Sequence, residues 1–181
     1  MRLFIAFGFS EPSRTLLSRY AAALRDLAAG GTYPGKENYH LTLAFLGECE
    51  RSRVSDVEAA IWAAVRGCAP IKAAIGGAGA FDRPDGKIVW VGAGDDGALN
   101  GLHGALCSEL EARGFVFPDE DKRLDYRPHV TIGRDIRLKT GDLAKLPAET
   151  ATETFSRVSL MLSARVRGQV QYTEISSFDL S

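Results

Sequence analysis

Two short segments constrain this chain more than any others: His40-Leu41-Thr42-Leu43 and His129-Val130-Thr131-Ile132. Polar and apolar residues alternate in both. Successive side chains of a strand point to opposite faces, so each segment read as a strand puts His and Thr on one face and its apolar pair on the other. The apolar pairs face a core. Each segment then presents an imidazole and a hydroxyl side by side on a stiff support.

The pattern around the two segments repeats. Arg2 to Phe9 reads as a strand. Ser10 is placed to cap a helix with Pro12 in its first turn, striped by Leu17, Tyr20, Leu24 and Leu27 and stopped by Gly30-Gly31. Asn38 to Leu46 is a β-rich run, Val57, Ile61 and Val65 mark a second helix, and Ile71 to Ile75 reads as a strand. The second half follows the same order: strand Lys87 to Val91, helix striped by Leu99, Leu102, Leu106 and Leu110, β run Pro128 to Gly133, and a short helix around Leu143. Phe155 to Arg165 and Val170 to Phe178 predict a closing hairpin through Gly168. The order strand, helix, His-strand, helix, strand thus occurs twice, as a likeness of pattern and not of residue identity. It predicts an α+β fold of two pseudo-symmetric lobes with a cleft between them. With 181 residues and no low-complexity linker, residues 1–181 read as a single domain of two packed lobes. The loops around Gly76-Gly77 and Asp82 to Gly86 are the expected crossing points, and Pro118 to Arg127 reads as a charged, solvated loop at the cleft rim.

Two His-x-Thr strands brought together aim two imidazoles into one pocket. That suits hydrolysis of a phosphodiester near neutral pH, because one imidazole takes a proton from water while the other gives one to the departing oxygen. The threonines would donate to the non-bridging oxygens, where charge builds in the transition state. No metal or other cofactor is required by this arrangement, and no acidic cluster suggests one. A single His-x-Thr strand is usually only a strand with a satisfied polar face; the matched pair in matching places points to function. The third histidine, His103, lies within the Leu99 to Leu110 helix with no Thr two residues on, and reads as structural or surface.

Other features weigh less. Formal net charge is -1, which argues against non-specific binding along duplex nucleic acid but not against a grip on one terminal phosphate. Local basic density appears at Lys122, Arg123, Arg127, Arg134, Arg137, Arg165 and Arg167. Cys49, Cys68 and Cys107 are far apart, so neither a disulfide framework nor a zinc site is indicated. No run of about 18 apolar residues predicts a membrane span, and Met1 to Ser10 lacks the pattern of a signal peptide; a cytoplasmic monomer is the default expectation. Gly92-Ala93-Gly94-Asp95-Asp96-Gly97 matches G-x-G-x-x-G, but its two aspartates would repel a pyrophosphate. It reads instead as a turn with an aspartate capping the next helix, and Gly76-Gly77-Ala78-Gly79 reads as another turn.

Tyr39 to Gly47 (YHLTLAFLG) and Tyr126 to Arg134 (YRPHVTIGR) resemble the paired motifs of the two-histidine phosphoesterase superfamily. Within it the likeness is to the RNA 2',3'-cyclic phosphodiesterase family, historically called 2'-5' RNA ligase. The opening strand, Ala80-Phe81 through Trp90-Val91-Gly92, and the hairpin with Tyr172 and Phe178 extend the resemblance over nearly the whole chain. It implies two antiparallel sheets with helices on their outer faces and the active site between them. It implies hydrolysis of 2',3'-cyclic phosphates on RNA or nucleotide ends to 2'-phosphomonoesters, with His40 the proton donor to O3' and His129 the acceptor that activates water. Some relatives run the same chemistry in reverse, joining RNA through 2'-5' linkages. A non-catalytic nucleotide-binding module is the competing reading, although binding alone does not need two proton carriers.

Supporting residues are less constrained. By strict alternation Arg134 points away from His129, but Gly133 permits a bulge that would bring the guanidinium to the phosphate. The resemblance favours that role; a surface salt bridge is the alternative. Phe45 falls on the core side by parity and would stack on a base only if the strand bends. Tyr172 offers a hydroxyl or a stacking face, or is an edge-strand tyrosine. Trp90 and Phe81 are expected in the core.

Overall fold

Alternation sets the opening strand: Leu3, Ile5 and Phe7 point into the core, while Phe4 and Ala6 point the other way. This strand, β1 (Arg2–Phe7), is followed by α1 (Glu11–Leu27), β2 (Leu41–Glu48), α2 (Val54–Val65), β3 (Ile71–Arg83), β4 (Gly86–Gly94), α3 (Ala98–Ala112), β5 (His129–Ile136), β6 (Ala151–Phe155), β7 (Arg157–Val166) and β8 (Gln169–Asp179). The computed structural model describes residues 1–117 and 126–180. The solvated loop expected at Pro118 to Arg127 therefore lies mostly outside the described residues.

The strands form two four-stranded antiparallel sheets, ordered β2-β1-β7-β8 and β5-β4-β3-β6. The orders correspond position by position. β2, which His40 immediately precedes, and β5, which begins at His129, are each an edge strand beside the opening strand of their half, and the two approach each other. The α+β fold of two pseudo-symmetric lobes is therefore present. The lobes are not the two halves of the sequence, because β7 and β8 return to the first sheet.

Helices tie the lobes together. α1 leaves the first sheet and packs against β5 and β6 of the second, burying Leu16, Leu17, Tyr20, Ala21 and Leu24. α3 leaves the second sheet and packs against β2 of the first, beside α2. One continuous apolar cluster spans both layers. Periodicity marks which stripe of a helix is buried, but not which sheet receives it.

Three expectations are corrected. Gly76 to Gly79 is not a turn but part of β3, where Gly77 at φ 72° forms a bulge opposite β4. β3 and β4 form one long hairpin closed at Pro84 and Asp85, so the chain passes from the first layer to the second at residues 66–70. Ser10 precedes α1 as expected, but its hydroxyl donates to buried Glu153 at 2.7 Å and makes no cap hydrogen bond. The Asp95 carboxylate does accept from the Leu99 N–H at 2.7 Å, while Gly92 and Gly94 lie in antiparallel β4. The Leu143 helix is a single 3-10 turn, Asp142–Lys145. No helix among the described residues is long and apolar enough to cross a membrane.

Candidate active site

The site is set by strand register. β2 pairs with β1 so that Ala6 meets Thr42, Ile5 meets Ala44 and Phe4 meets Phe45, skipping Leu43. Cross-strand partners share a face. Thr42 and Phe45 therefore lie on the same side as Phe4 and Ala6, and the bulge buries both Leu43 and Ala44. This corrects the parity reading of Phe45. Phe45 is 39% exposed and lies on the histidine face, with the Arg2 guanidinium 5.0 Å from its ring centroid.

β5 repeats the device. Gly92 meets His129, Trp90 meets Thr131, and Val89 meets Gly133, skipping Ile132. Ile132 and Gly133 are both buried, and by this register the exposed Arg134 returns to the face of His129 and Thr131. Glycine fits this bulge because a Cβ at 133 would lie 2.8 Å from Ile136 Cδ1 and 3.0 Å from Leu24 Cδ2.

The two imidazoles sit in matching frames. His40 Nδ1 donates to the Asn38 carbonyl at 2.7 Å, and His129 Nδ1 donates to the Arg127 carbonyl at 2.6 Å. A carbonyl only accepts, so Nδ1 carries hydrogen in both rings and Nε2 is left to take or give a proton. Each ring also rests between two aromatic side chains. His40 lies 4.8 Å from Phe4 and 4.9 Å from Tyr172; His129 lies 5.2 Å from Phe81 and 5.9 Å from Trp90. Tyr172 is thus brought to the first histidine. Phe81 and Trp90 are half-buried neighbours of the second and not members of the fully buried core.

Burial is the main cause that holds both histidines below the ordinary imidazole pKa. The backbone carbonyls partly oppose it, and the Arg134 charge lowers both further. His129 adds a repulsion that lowers His40, so two protons on the pair are disfavoured.

His40, Thr42 and Phe45 from one sheet and His129, Thr131 and Arg134 from the other thus share one arrangement, with Tyr172 beside it. Sequence alone assigns Phe81 and Trp90 to the core and does not single out Phe4 for the site. Their signal was cross-strand parity, which is readable only once the bulges are known. His103 is buried in α3 and bonds the Leu43 carbonyl, as a structural residue would. Among the described residues no group of three or more His, Cys, Asp or Glu is placed to share a metal.

Known proteins share this plan. The family described as the 2'-5' RNA ligase superfamily matches residues 12–167. An RNA 2',3'-cyclic phosphodiesterase of Methanothermobacter thermautotrophicus is 30% identical over 99% of each chain. One of Thermotoga maritima is 33% identical over 74% of this chain and 70% of its own. A Thermus thermophilus protein of known structure superposes with a TM-score of 0.83 at 25% identity, covering 99% of this chain and 98% of its own. With the paired His-x-Thr strands on matching edges of two sheets, and the family match running through both of them, the chain belongs to the 2'-5' RNA ligase superfamily.

Proposed function

We propose that the protein hydrolyses 2',3'-cyclic phosphates on RNA or nucleotide ends to 2'-phosphomonoesters, without a metal ion. The observation that carries this reading is the matched pair of imidazoles, both fixed at Nδ1 by a backbone carbonyl and both left with Nε2 for proton transfer. The activity named for the archaeal and bacterial relatives supports it.

In this reading neutral His129 takes a proton from water as the water oxygen bonds to phosphorus. The bond from phosphorus to O3' breaks, and protonated His40 gives its proton to O3'. The proton balance is closed when His129 returns its proton to solvent and His40 regains one. The frames of the two rings are alike, so the division of roles comes from the family resemblance and not from geometry. Mutual repulsion favours one proton on the pair over two, and the singly protonated pair is the state the reaction needs. The Thr42 and Thr131 hydroxyls and the Arg134 guanidinium stabilise the non-bridging oxygens. Phe45 stacks on the base, and Tyr172 holds His40 and lines the ribose side. One chain supplies both histidines, so a monomer suffices.

The test is turnover of cyclic-ended RNA and of free 2',3'-cyclic nucleotides in excess EDTA, with phosphorus NMR of the product. Retained activity and a 2'-phosphate are expected. Loss in EDTA restored by a divalent ion would overturn metal independence, and a 3'-phosphate would overturn O3' as leaving group.

A further inference from the structure

β2 is an outer strand, so one side of its backbone has no neighbouring strand among the described residues, and its ladder is broken at the bulge that skips Leu43. Two side chains from the second half of the chain bond there. The Tyr126 hydroxyl donates to the Thr42 carbonyl at 2.9 Å. His103 Nδ1 donates to the Leu43 carbonyl at 2.6 Å. The two rings lie flat against each other, with centroids 4.0 Å apart and 9° between their planes, so each donor steadies the other. Asn100 Nδ2 donates to the Tyr126 carbonyl at 3.1 Å and ties this loop to α3. The Cys107 sulfur packs 3.7 Å from His103 Nε2. Burial, with some help from the Asp95 charge, raises the Tyr126 phenol well above its usual value, so it stays a donor at any working pH.

Tyr126 also stands three residues before His129. One short segment therefore carries the second histidine and a brace onto the backbone of the first motif. A strand edge leaves backbone carbonyls unpaired, and a bulge disrupts the ladder further. Here both carbonyls at the weak point are taken by side chains anchored in α3 and in the approach to β5.

We propose that Tyr126 and His103 are positioning residues: by fixing the carbonyls of Thr42 and Leu43 they hold the bulge that aims the Thr42 hydroxyl into the cleft. This rests on the reading of Thr42 as a donor to the phosphate. Neither residue meets the substrate; each acts on the reaction through the geometry of Thr42.

Tyr126→Phe keeps the ring and its stack and removes one O–H. It should lower kcat on a free 2',3'-cyclic nucleotide by roughly ten- to a hundredfold, as expected for a donor displaced by a fraction of an ångström to 1 Å, with KM little changed. In a Thr42→Ala background the same substitution should do little more, because the group it aims is gone. His103→Asn, which keeps a donor nitrogen near the place of Nδ1, should be more active than His103→Ala. Wild-type kcat in Tyr126→Phe, or an equal fold-loss in both Thr42 backgrounds, would overturn the proposal by marking the contact as general stability only. Equal losses in His103→Asn and His103→Ala would remove His103 from it. Thr42→Ala with unchanged activity would instead overturn the phosphate-binding reading of Thr42, and the brace would fall with it. Should His103→Ala not fold, the Tyr126 and Thr42 cycle decides alone.

Discussion

Phe45 and Arg134 occupy equivalent positions: each follows a buried bulge pair, Leu43-Ala44 or Ile132-Gly133, and each is turned back by it to the face of its His-x-Thr segment. A straight strand would have sent both away from the cleft. The symmetric scaffold therefore presents unlike groups on the histidine face, an aromatic ring from one sheet and a cation from the other. Gly133→Ala tests the bulge. Its Cβ would crowd Ile136 and Leu24, and overpacking of this kind costs about 1–3 kcal/mol. Denaturant unfolding should show that loss, and kcat/KM should fall as Arg134 is displaced.

Arg134 should act on the histidines as well as on the phosphate. Its positive charge disfavours imidazolium at both rings. Removing it in Arg134→Met should move the kcat/KM profile to higher pH while lowering its maximum by roughly ten- to a thousandfold. A profile that falls in height without moving would place the guanidinium out of reach of the rings.

The pH dependence itself follows from the depressed values. The profile of kcat/KM reports the free enzyme, where both histidines titrate below about 6.5, so its optimum should lie on the acid side of neutrality. Bound phosphate favours imidazolium, so the kcat profile should lie at higher pH. Stability has a definite sign too. Below about 6.5 the unfolded chain binds these protons more readily than the fold does, so stability is full above that pH and is lost as pH falls through the folded values. Denaturant midpoints between pH 7 and pH 5 should show this, and a His40→Gln, His129→Gln double variant should flatten the trend.

Phe45 should matter for binding more than for the chemical step. Its ring is partly exposed and its loss removes little core. Phe45→Ala should keep its melting temperature and raise KM for cyclic-ended substrates, since base stacking contributes about 1–3 kcal/mol. A wild-type KM would show that the base lies elsewhere.

Much of this site was legible in the chain. Two segments with period-two alternation sufficed to put His and Thr together on strand faces, and the repeated order of elements sufficed to pair the two strands. The permissive role of Gly133 was also readable. What escaped depends on register. Parity sends Phe45 to the core, and only pairing with Phe4 across a bulge reverses it. Trp90 and Phe81 look like core because they are large and apolar, yet they flank His129. Gly76 to Gly79 looks like a turn, but it is strand β3. The exchange of α1 and α3 between sheets has no local signal, because an apolar stripe does not name the surface that covers it.

The central claim is that two histidines on separate lobes divide one proton transfer each. It is tested most directly by single-turnover hydrolysis of a cyclic-ended oligonucleotide in excess EDTA by the wild type, His40→Ala and His129→Ala. Each variant is expected to be slower by a factor of order 10²–10⁴, the usual loss on removing one general acid or base, while still binding the uncleaved substrate. Full activity in either variant would contradict it.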